Sequence, residues 1–200
     1  MTPHVTALPI PGAWKITNQA FTDDRGSLHE WFHAPQLLAA GLNLVIRQAN
    51  CSRSGRGVLR GIRVTTTATG QTKYVTCTRG GVLDVIVDLR HGSPTFGRWH
   101  MEELSEDNHI ALYIGPGLGH GFLSLADDST VLYLLEQPHS ADDERSIHPL
   151  DPDLAISWPA GLTPLLGPKD AQAPRLAEAR QAGWLPVYDT DPTYQPRHTN

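Results

Sequence analysis

The segment His29-Glu30-Trp31-Phe32-His33 spells H-E-x-x-H. In zinc proteases this pattern puts two imidazoles on one helical face beside a general-base carboxylate. The flanking residues argue against such a helix. Asp24-Arg25-Gly26-Ser27 is turn chemistry, Leu28, Glu30 and Phe32 alternate with His29, Trp31 and His33, and Pro35 follows. On a strand the two histidines would stand roughly 13 Å apart, at ~3.3 Å per residue, too far to share a metal. His29 and His33 are therefore expected at the surface or on a pocket rim.

A second set of residues says more. Arg25, Glu30, Gln48, Asn50, Arg60, Arg63, Lys73, His120 and Tyr133 interrupt apolar or alternating segments. Charged residues inside apolar strands need partners or a ligand, although any one alone is explained by solvent exposure. Several on successive strands of one barrel would instead line its mouth, a natural ligand site. Arg25, Arg60, Arg63 and Lys73 together would make a cationic pocket suited to a phosphate-bearing ligand.

The elements that must position these residues are mostly strands. Glycine (18) and proline (16) punctuate the chain at short intervals, as turns between short strands would. Residues 44–52, 57–66, 72–78, 81–89, 109–115, 120–126 and 130–136 are rich in β-branched and aromatic side chains and evenly spaced, which predicts an all-β sandwich or barrel. Within 44–52, Leu44, Ile46 and Gln48 share a face. Within 81–89, Val82, Asp84, Ile86 and Asp88 face one way and Leu83, Val85, Val87 and Leu89 the other. Short peripheral helices are expected at 34–42, between Pro35 and Gly41, and at 175–183, where Leu176, Ala179 and Ala182 recur at helical spacing. One domain over 1–185 and a loose tail at 186–200 complete the expected organisation.

Bulk properties narrow the function. The chain has 200 residues, 40% hydrophobic and 18% charged, with a net charge of −5. It lacks the basic footprint of a nucleic-acid or membrane-surface binder. Cys51 and Cys77 form no C-x-x-C, so two reduced thiols packed in strands are expected rather than a disulfide or zinc site. The N-terminal stretch has no basic region and no long apolar run, and no segment approaches the roughly 20 apolar residues of a membrane span. A cytoplasmic enzyme or binding protein is the expectation.

Motifs now converge. Phe21-Thr22-Asp23-Asp24-Arg25-Gly26-Ser27-Leu28-His29-Glu30 resembles the F-x-D-x-R-G-x-x-x-E opening of the dTDP-4-dehydrorhamnose 3,5-epimerases. Gln48-Ala49-Asn50-Cys51-Ser52 is similar to their Q-x-N-x-S, Gly57-Val58-Leu59-Arg60-Gly61 contains their V-L-R-G, and Lys73 falls in their G-K-x-V stretch. Residues 84–90 and 92–99, Gly119-His120-Gly121-Phe122, Tyr133, Asp151-Pro152, Ile156-Ser157-Trp158-Pro159 and Lys169-Asp170-Ala171 continue the resemblance over roughly residues 9–175. The resemblance implies a homodimeric jelly-roll barrel of the cupin type (a double-stranded β-helix) that uses no metal or other cofactor. It also implies a dTDP-linked 4-keto-6-deoxyhexose as substrate. Arg25, Gln48, Asn50 and Arg60 match positions that hold nucleotide and diphosphate, with Phe21, Glu30 and Lys169 among the substrate-binding positions. Lys73 matches the cation near the C4 ketone, which stabilises the enolate formed when a proton leaves C3 or C5. Tyr133 matches the acid that returns a proton on the opposite face, and Asp170 the carboxylate that orients the base.

The base itself is absent. Where the family reads R-G-[LI]-H-[FY]-Q, this chain reads Arg60-Gly61-Ile62-Arg63-Val64-Thr65, and His139 replaces a second family tyrosine. Imidazole suits proton abstraction near neutrality, whereas a guanidinium, with a pKa above roughly 12, does not. The same strand contains no H-x-H, and a permanent cation at Arg63 would repel a metal. Three explanations follow. Epimerisation survives through Asp170, His120 or His139 with Arg63 supporting the enolate; the pocket serves another reaction, such as a cyclisation or isomerisation in natural-product biosynthesis; or Arg63 and Asp170 close as an ion pair in a silent sugar-nucleotide binder. The retained binding pattern favours the first and the lost base the second or third; the expectation is an epimerase-like protein of atypical or reduced activity.

Overall fold

The computed structural model describes residues 3–188. All the strands expected from alternation form, and others join them. The chain runs β1 (His4–Ala7), β2 (Ala13–Thr17), β3 (Ala20–Asp23), β4 (Gly26–His29), α1 (Ala34–Ala39), β5 (Gln48–Ser54), β6 (Val58–Thr65), β7 (Lys73–Arg79), β8 (Gly81–Asp88) and β9 (Trp99–Ser105). It continues through β10 (Ile110–Ile114), β11 (Leu118–Ser124), β12 (Ser129–Leu135), β13 (Glu144–Ser146), β14 (Leu165–Leu166), α2 (Pro168–Ala171) and α3 (Leu176–Gln181).

One six-stranded sheet has the order β1-β2-β10-β7-β12-β5; the other has the order β13-β6-β11-β8-β9, with β14 parallel to β6. Strands far apart in sequence alternate between the two sheets, giving the expected mostly-β jelly roll of the cupin type. The facing sides bury Val82, Ile86, Leu104, Phe122 and Leu118 from one sheet against Val75, Cys77, Leu112, Ile114 and Val131 from the other. This core closes one end of the barrel and leaves the other end to polar side chains.

The outer faces are covered too, which explains strands that are apolar on both sides. Val85, Val87 and Leu89 pack with Ile62, Val64, Leu154, Leu176 and Ala179 beneath the C-terminal segments. Tyr74, Ala111, Tyr113 and Leu134 pack with Leu37, Leu42 and Leu44 at α1. Burying both faces converts alternation into the near-continuous apolar run seen in β8.

Several boundaries differ from the sequence expectation. The 44–52 segment enters the sheet only at Gln48; Leu44 is buried against α1 whereas Ile46 is 40% exposed, so the two do not share a strand face. The H-E-x-x-H segment leaves β4 after His29, and His33 caps α1 through an Nδ1 that accepts from the Gln36 amide, 3.3 Å away. A cap residue's side chain satisfies a free helix amide, a local use that competes with continued strand. α1 and α3 are shorter than the 34–42 and 175–183 expected. Cys51 and Cys77 lie in β5 and β7 as free thiols, but Cys51 is exposed rather than packed. Of the tail, Pro186 and Tyr188 exchange backbone hydrogen bonds with His91 at 2.7 and 2.9 Å; positions 189–200 lie outside the described residues. Among the described residues no helix is long and apolar enough to cross a membrane.

Candidate active site

A cavity of about 410 Å³ opens at the polar end of the barrel. Strand parity explains most of its lining. On one wall, Tyr133 of β12 stands opposite Asn50 of β5 and Val75 of β7, and Leu135 opposite Gln48 and Lys73, so all of these face the interior. On the other wall, His120 of β11 stands opposite Arg63 of β6 and Ile86 of β8, and Phe122 opposite Arg60 and Asp84.

Arg60 and Arg63 are three residues apart, and strict alternation would put them on opposite faces. They share a face because the β6–β11 register shifts between them: two residues of β11 span three of β6. Such a bulge re-aims side chains next to a site. Gly61 permits it. Its φ is +108°, and a Cβ there would lie 2.6 Å from the His120 carbonyl oxygen and the Gly121 Cα.

Arg63 is clamped by two carboxylates. Its Nη1 donates to Glu144 Oε1 at 2.7 Å and its Nη2 to Asp170 Oδ1 at 3.0 Å. Burial works against its charge, but the bonds and charges of Glu144 and Asp170 outweigh that and raise its pKa above the ordinary guanidinium value. Burial likewise opposes the Glu144 carboxylate, and donation from Lys169 and Arg63 outweighs it, holding that group below its usual range. Lys169 Nζ is 2.8 Å from Glu144 Oε1, and His139 Nδ1 is 3.6 Å from Oε2. Glu144 thus gathers Arg63, Lys169 and His139.

Half-buried Lys73 points into the cavity and donates to the Arg63 carbonyl oxygen at 3.4 Å. Desolvation, helped by the Arg63 charge and partly offset by Glu144 and Asp84, pulls its pKa down to about 8. The Tyr133 hydroxyl lies 3.2 Å from Ser52 Oγ, and desolvation is the main cause that pushes its pKa well above the usual phenol value. Below it, His120 Nε2 is 2.8 Å from Asp84 Oδ2, both residues buried, and the His120 ring meets Tyr133 edge-on at 5.9 Å.

The structure therefore brings together Asn50, Arg60, Arg63, Lys73, His120, Tyr133 and His139 around one cavity. Gln48 stands at the rim, bonded to Asn50 and to the His139 amide at 2.8 and 2.7 Å. Asp170 lies behind Arg63, and Lys169 beside Glu144. Phe21, Arg25 and Glu30 are not in the cavity, which corrects the expected four-cation cluster to three. Phe21 and Arg25 belong to the separate β3–β4 hairpin, where Arg25 is exposed and paired with Asp23, and Glu30 follows it. His29 stacks on His109 at 4.4 Å between ring centroids, remote in role from His33 at the helix cap. Among the described residues no group of three or more His, Cys, Asp or Glu is placed to hold a metal ion. Sequence reasoning missed Asp84 and Glu144 as site residues. Asp84 carried a signal, an acid amid the apolar run of β8; Glu144 lies in a charged stretch that gives no cue to a pocket.

Comparison with known proteins finds similar sequences and similar folds. Residues 7–178 match the family model described as dTDP-4-dehydrorhamnose 3,5-epimerase. A Streptomyces niveus dTDP-4-dehydrorhamnose 3-epimerase is 48% identical over 184 residues, covering 92% of this chain and 88% of that protein. A Streptomyces griseus dTDP-4-dehydrorhamnose 3,5-epimerase is 48% identical over 183 residues, 91% of each chain. The crystal structure of NovW, a 4-keto-6-deoxy sugar epimerase from the novobiocin cluster of Streptomyces spheroides, superposes with a TM-score of 0.90 at 46% identity, covering 94% of both chains. ChmJ, a 3'-monoepimerase from Streptomyces bikiniensis solved with dTDP-quinovose, superposes at 0.88 with 45% identity, covering 94% of this chain and 93% of that one.

Proposed function

The chain belongs to the dTDP-4-dehydrorhamnose 3,5-epimerase family, and on that premise we propose that it is an isomerase that binds a dTDP-4-keto-6-deoxyhexose in the barrel mouth and epimerises it next to the ketone. The observation that supports this most is the convergence of Arg60, Arg63 and Lys73 with His120 and Tyr133 on one cavity of about 410 Å³, in a chain of net charge −5. Arg60 and Asn50 hold diphosphate and nucleotide, with Gln48 at the rim. The Lys73 ammonium faces the C4 oxygen and stabilises the enolate. Tyr133, kept protonated by its raised pKa, returns a proton from its own wall. Arg63 is a fixed cation between two acids, not a base.

The working unit in this reading is a homodimer of single-domain chains, residues 1–185. Phe21, Arg25 and Glu30 lie outside their own cavity, on or just after a hairpin whose Leu28 is 75% exposed. Among the described residues β5 is a sheet edge, paired on one side with β12, and it carries Gln48 and Asn50 to the rim. A second copy docking there covers the edge and brings its own hairpin to the nucleotide.

The test has two arms. Saturating dTDP should raise the melting temperature, since ligand at 100 times Kd contributes about 2.7 kcal/mol. Incubation with the 4-keto-6-deoxy sugar nucleotide in deuterated water should place deuterium at C3, C5 or both; incorporation no faster than without enzyme removes the epimerase reading. One observation favours a second reading, a silent binder: Arg63 occupies both Asp170 and Glu144. Stabilisation by dTDP without any exchange is the result that would select it.

Exchange should also fall on the alkaline side. The ammonium form of Lys73 is needed at the ketone, and its share drops as pH rises through about 8. A midpoint near that pH, lost together with most activity in Lys73→Met, is expected; a rate that stays level up to pH 9 would take Lys73 out of this role.

A further inference from the structure

We infer that the buried His120–Asp84 pair is the proton acceptor of this chain, standing one strand aside from the position that Arg63 fills. The inference rests on the epimerase reading above and assigns its missing base.

Inverting a carbon requires one group to take a proton from one face and another to return it to the opposite face. Tyr133 and Lys73 belong to the sheet of β7 and β12, and the acceptor must come from the facing sheet. On that wall the groups are Arg60, Arg63, His120 and Asp84, with Glu144 and Asp170 behind Arg63; Asp143 also lines the cavity, but beyond the end of β6, its backbone bonded to Thr66 three residues past Arg63. The arginines are permanent cations. Glu144 and Asp170 are taken up by Arg63, and His139 is half-exposed on the loop after β12. His120 is left. Its Cα pairs with that of Arg63 across the β6–β11 ladder, so both side chains project from one face, with Cβ atoms ~5 Å apart in such a pair.

The chemistry of the pair fits. A carboxylate only accepts hydrogen bonds, so the 2.8 Å contact with Asp84 Oδ2 fixes the imidazole proton on Nε2. Nδ1 then carries the lone pair, and among the described residues it has no hydrogen-bond partner on a side chain that lines the cavity. Asp84 is 0% exposed, and among the described residues its Oδ1 has no hydrogen-bond partner. A half-satisfied buried carboxylate costs stability, and an apolar side chain would fill the same place at less cost. Its charge behind the ring supports the imidazolium formed on protonation, the part an aspartate plays behind a catalytic histidine in serine proteases.

The step balances. His120 Nδ1 takes the proton; the C–H electron pair moves into the bond to C4, leaving an enolate oxygen against the Lys73 ammonium. Tyr133 then donates its proton to the other face, and the enolate returns to ketone. Water in the open cavity takes the imidazolium proton and restores that of the phenolate, so no other reactant is needed.

The test uses the full chain and deuterium incorporation from heavy water. His120→Gln keeps a donor for Asp84 but cannot take a proton, so exchange should fall about 10²–10⁴-fold, the usual share of a positioned base, while stabilisation by dTDP is unchanged. Exchange at the wild-type rate in His120→Gln would overturn the assignment and leave the epimerase reading standing. No exchange in the wild-type chain overturns both. Asp84 is a positioning residue, and Asp84→Asn reads it independently. With the charge behind the ring removed, the imidazolium formed on abstraction loses its support, so kcat for exchange should fall about tenfold or more while KM stays level. Asp84 also holds up the pKa of Lys73, so the two chains are compared below pH 7, where the Lys73 ammonium persists; Arg60 and Arg63 on the same wall are permanent cations. An unchanged kcat would remove Asp84 from the pair.

Discussion

Replacing Arg63 by histidine in the His120→Gln variant should raise deuterium exchange by about 10²-fold or more, within the 10²–10⁴ that a positioned general base supplies. The expectation follows from what the guanidinium holds. Asp170 Oδ1 lies 3.0 Å from Nη2, so a carboxylate able to orient an imidazole already stands at that point of the wall. Lys73 and Tyr133 on the facing wall are unaffected. Glu144 keeps Lys169 at 2.8 Å after the arginine is gone, and the new imidazole takes over buried Asp170, the carboxylate that loses its cation. Arg63→Gln is the matching control: it removes the charge without adding a base and should give no gain. With a base restored at position 63, adding His120→Gln should no longer abolish exchange. If that double variant binds dTDP but exchanges no faster than His120→Gln alone, a base at position 63 is not enough, and the replacement of the second family tyrosine by His139 is the next position to change.

The largest effect on stability should come from Asp88, far from the chemistry. Asp88 is fully buried at the end of β8. It accepts from the Arg90 amide and Nε at 3.1 and 2.9 Å, from Arg90 Nη2 at 2.8 Å, and from the Ser93 and Thr95 hydroxyls at 2.6 Å each. Arg90 in turn donates to the Pro11 carbonyl at 2.7 Å and lies over the Tyr188 ring at 4.9 Å, so one carboxylate ties the β8–β9 loop to both ends of the described chain. Burial works against its charge, but the donors outweigh it and hold the carboxyl below its ordinary range. Asp88→Ala leaves a buried guanidinium and two hydroxyls without their acceptor, a loss of about 3–5 kcal/mol. In a protein of this size that lowers the melting temperature by roughly 6–20 °C. The sign with pH follows from the lowered pKa. Stability from the ionised group is present above the unfolded-state value and is lost as pH falls through the folded value, so mutant and wild type should converge in acid. Denaturant titrations at neutral pH and at pH 3 check both; a loss under about 1 kcal/mol at neutral pH would contradict the hub role.

The barrel was readable because its signals are local. Period-two alternation in residues 72–78, 81–89 and 130–136 decides which side chains share a face, and the structure keeps that parity for Lys73, Asp84 and Tyr133. β9 was not anticipated: Trp-His-Met-Glu-Glu-Leu-Ser is polar, half-buried and at a sheet edge, so neither face writes an apolar pattern. β1, β13 and β14 span only two to four residues, too short for a period to show.

The sequence by itself determined the permanent charge at position 63 and the family to which the chain belongs, since both are properties of residue types in order. Only the tertiary structure decided which groups meet. Arg60 and Arg63 share a face through a bulge whose register is set by β11, more than fifty positions away. Glu144 reaches Arg63 because β13 pairs with β6, and Asp170 because α2 packs there. Asp84 lies behind His120 because β8 and β11 are neighbours, while Arg25 and Glu30 are carried outside by a separate hairpin. Side-chain parity is fixed within a few residues of backbone; ladder register and sheet order are fixed by contacts that close long loops, and no local pattern encodes them.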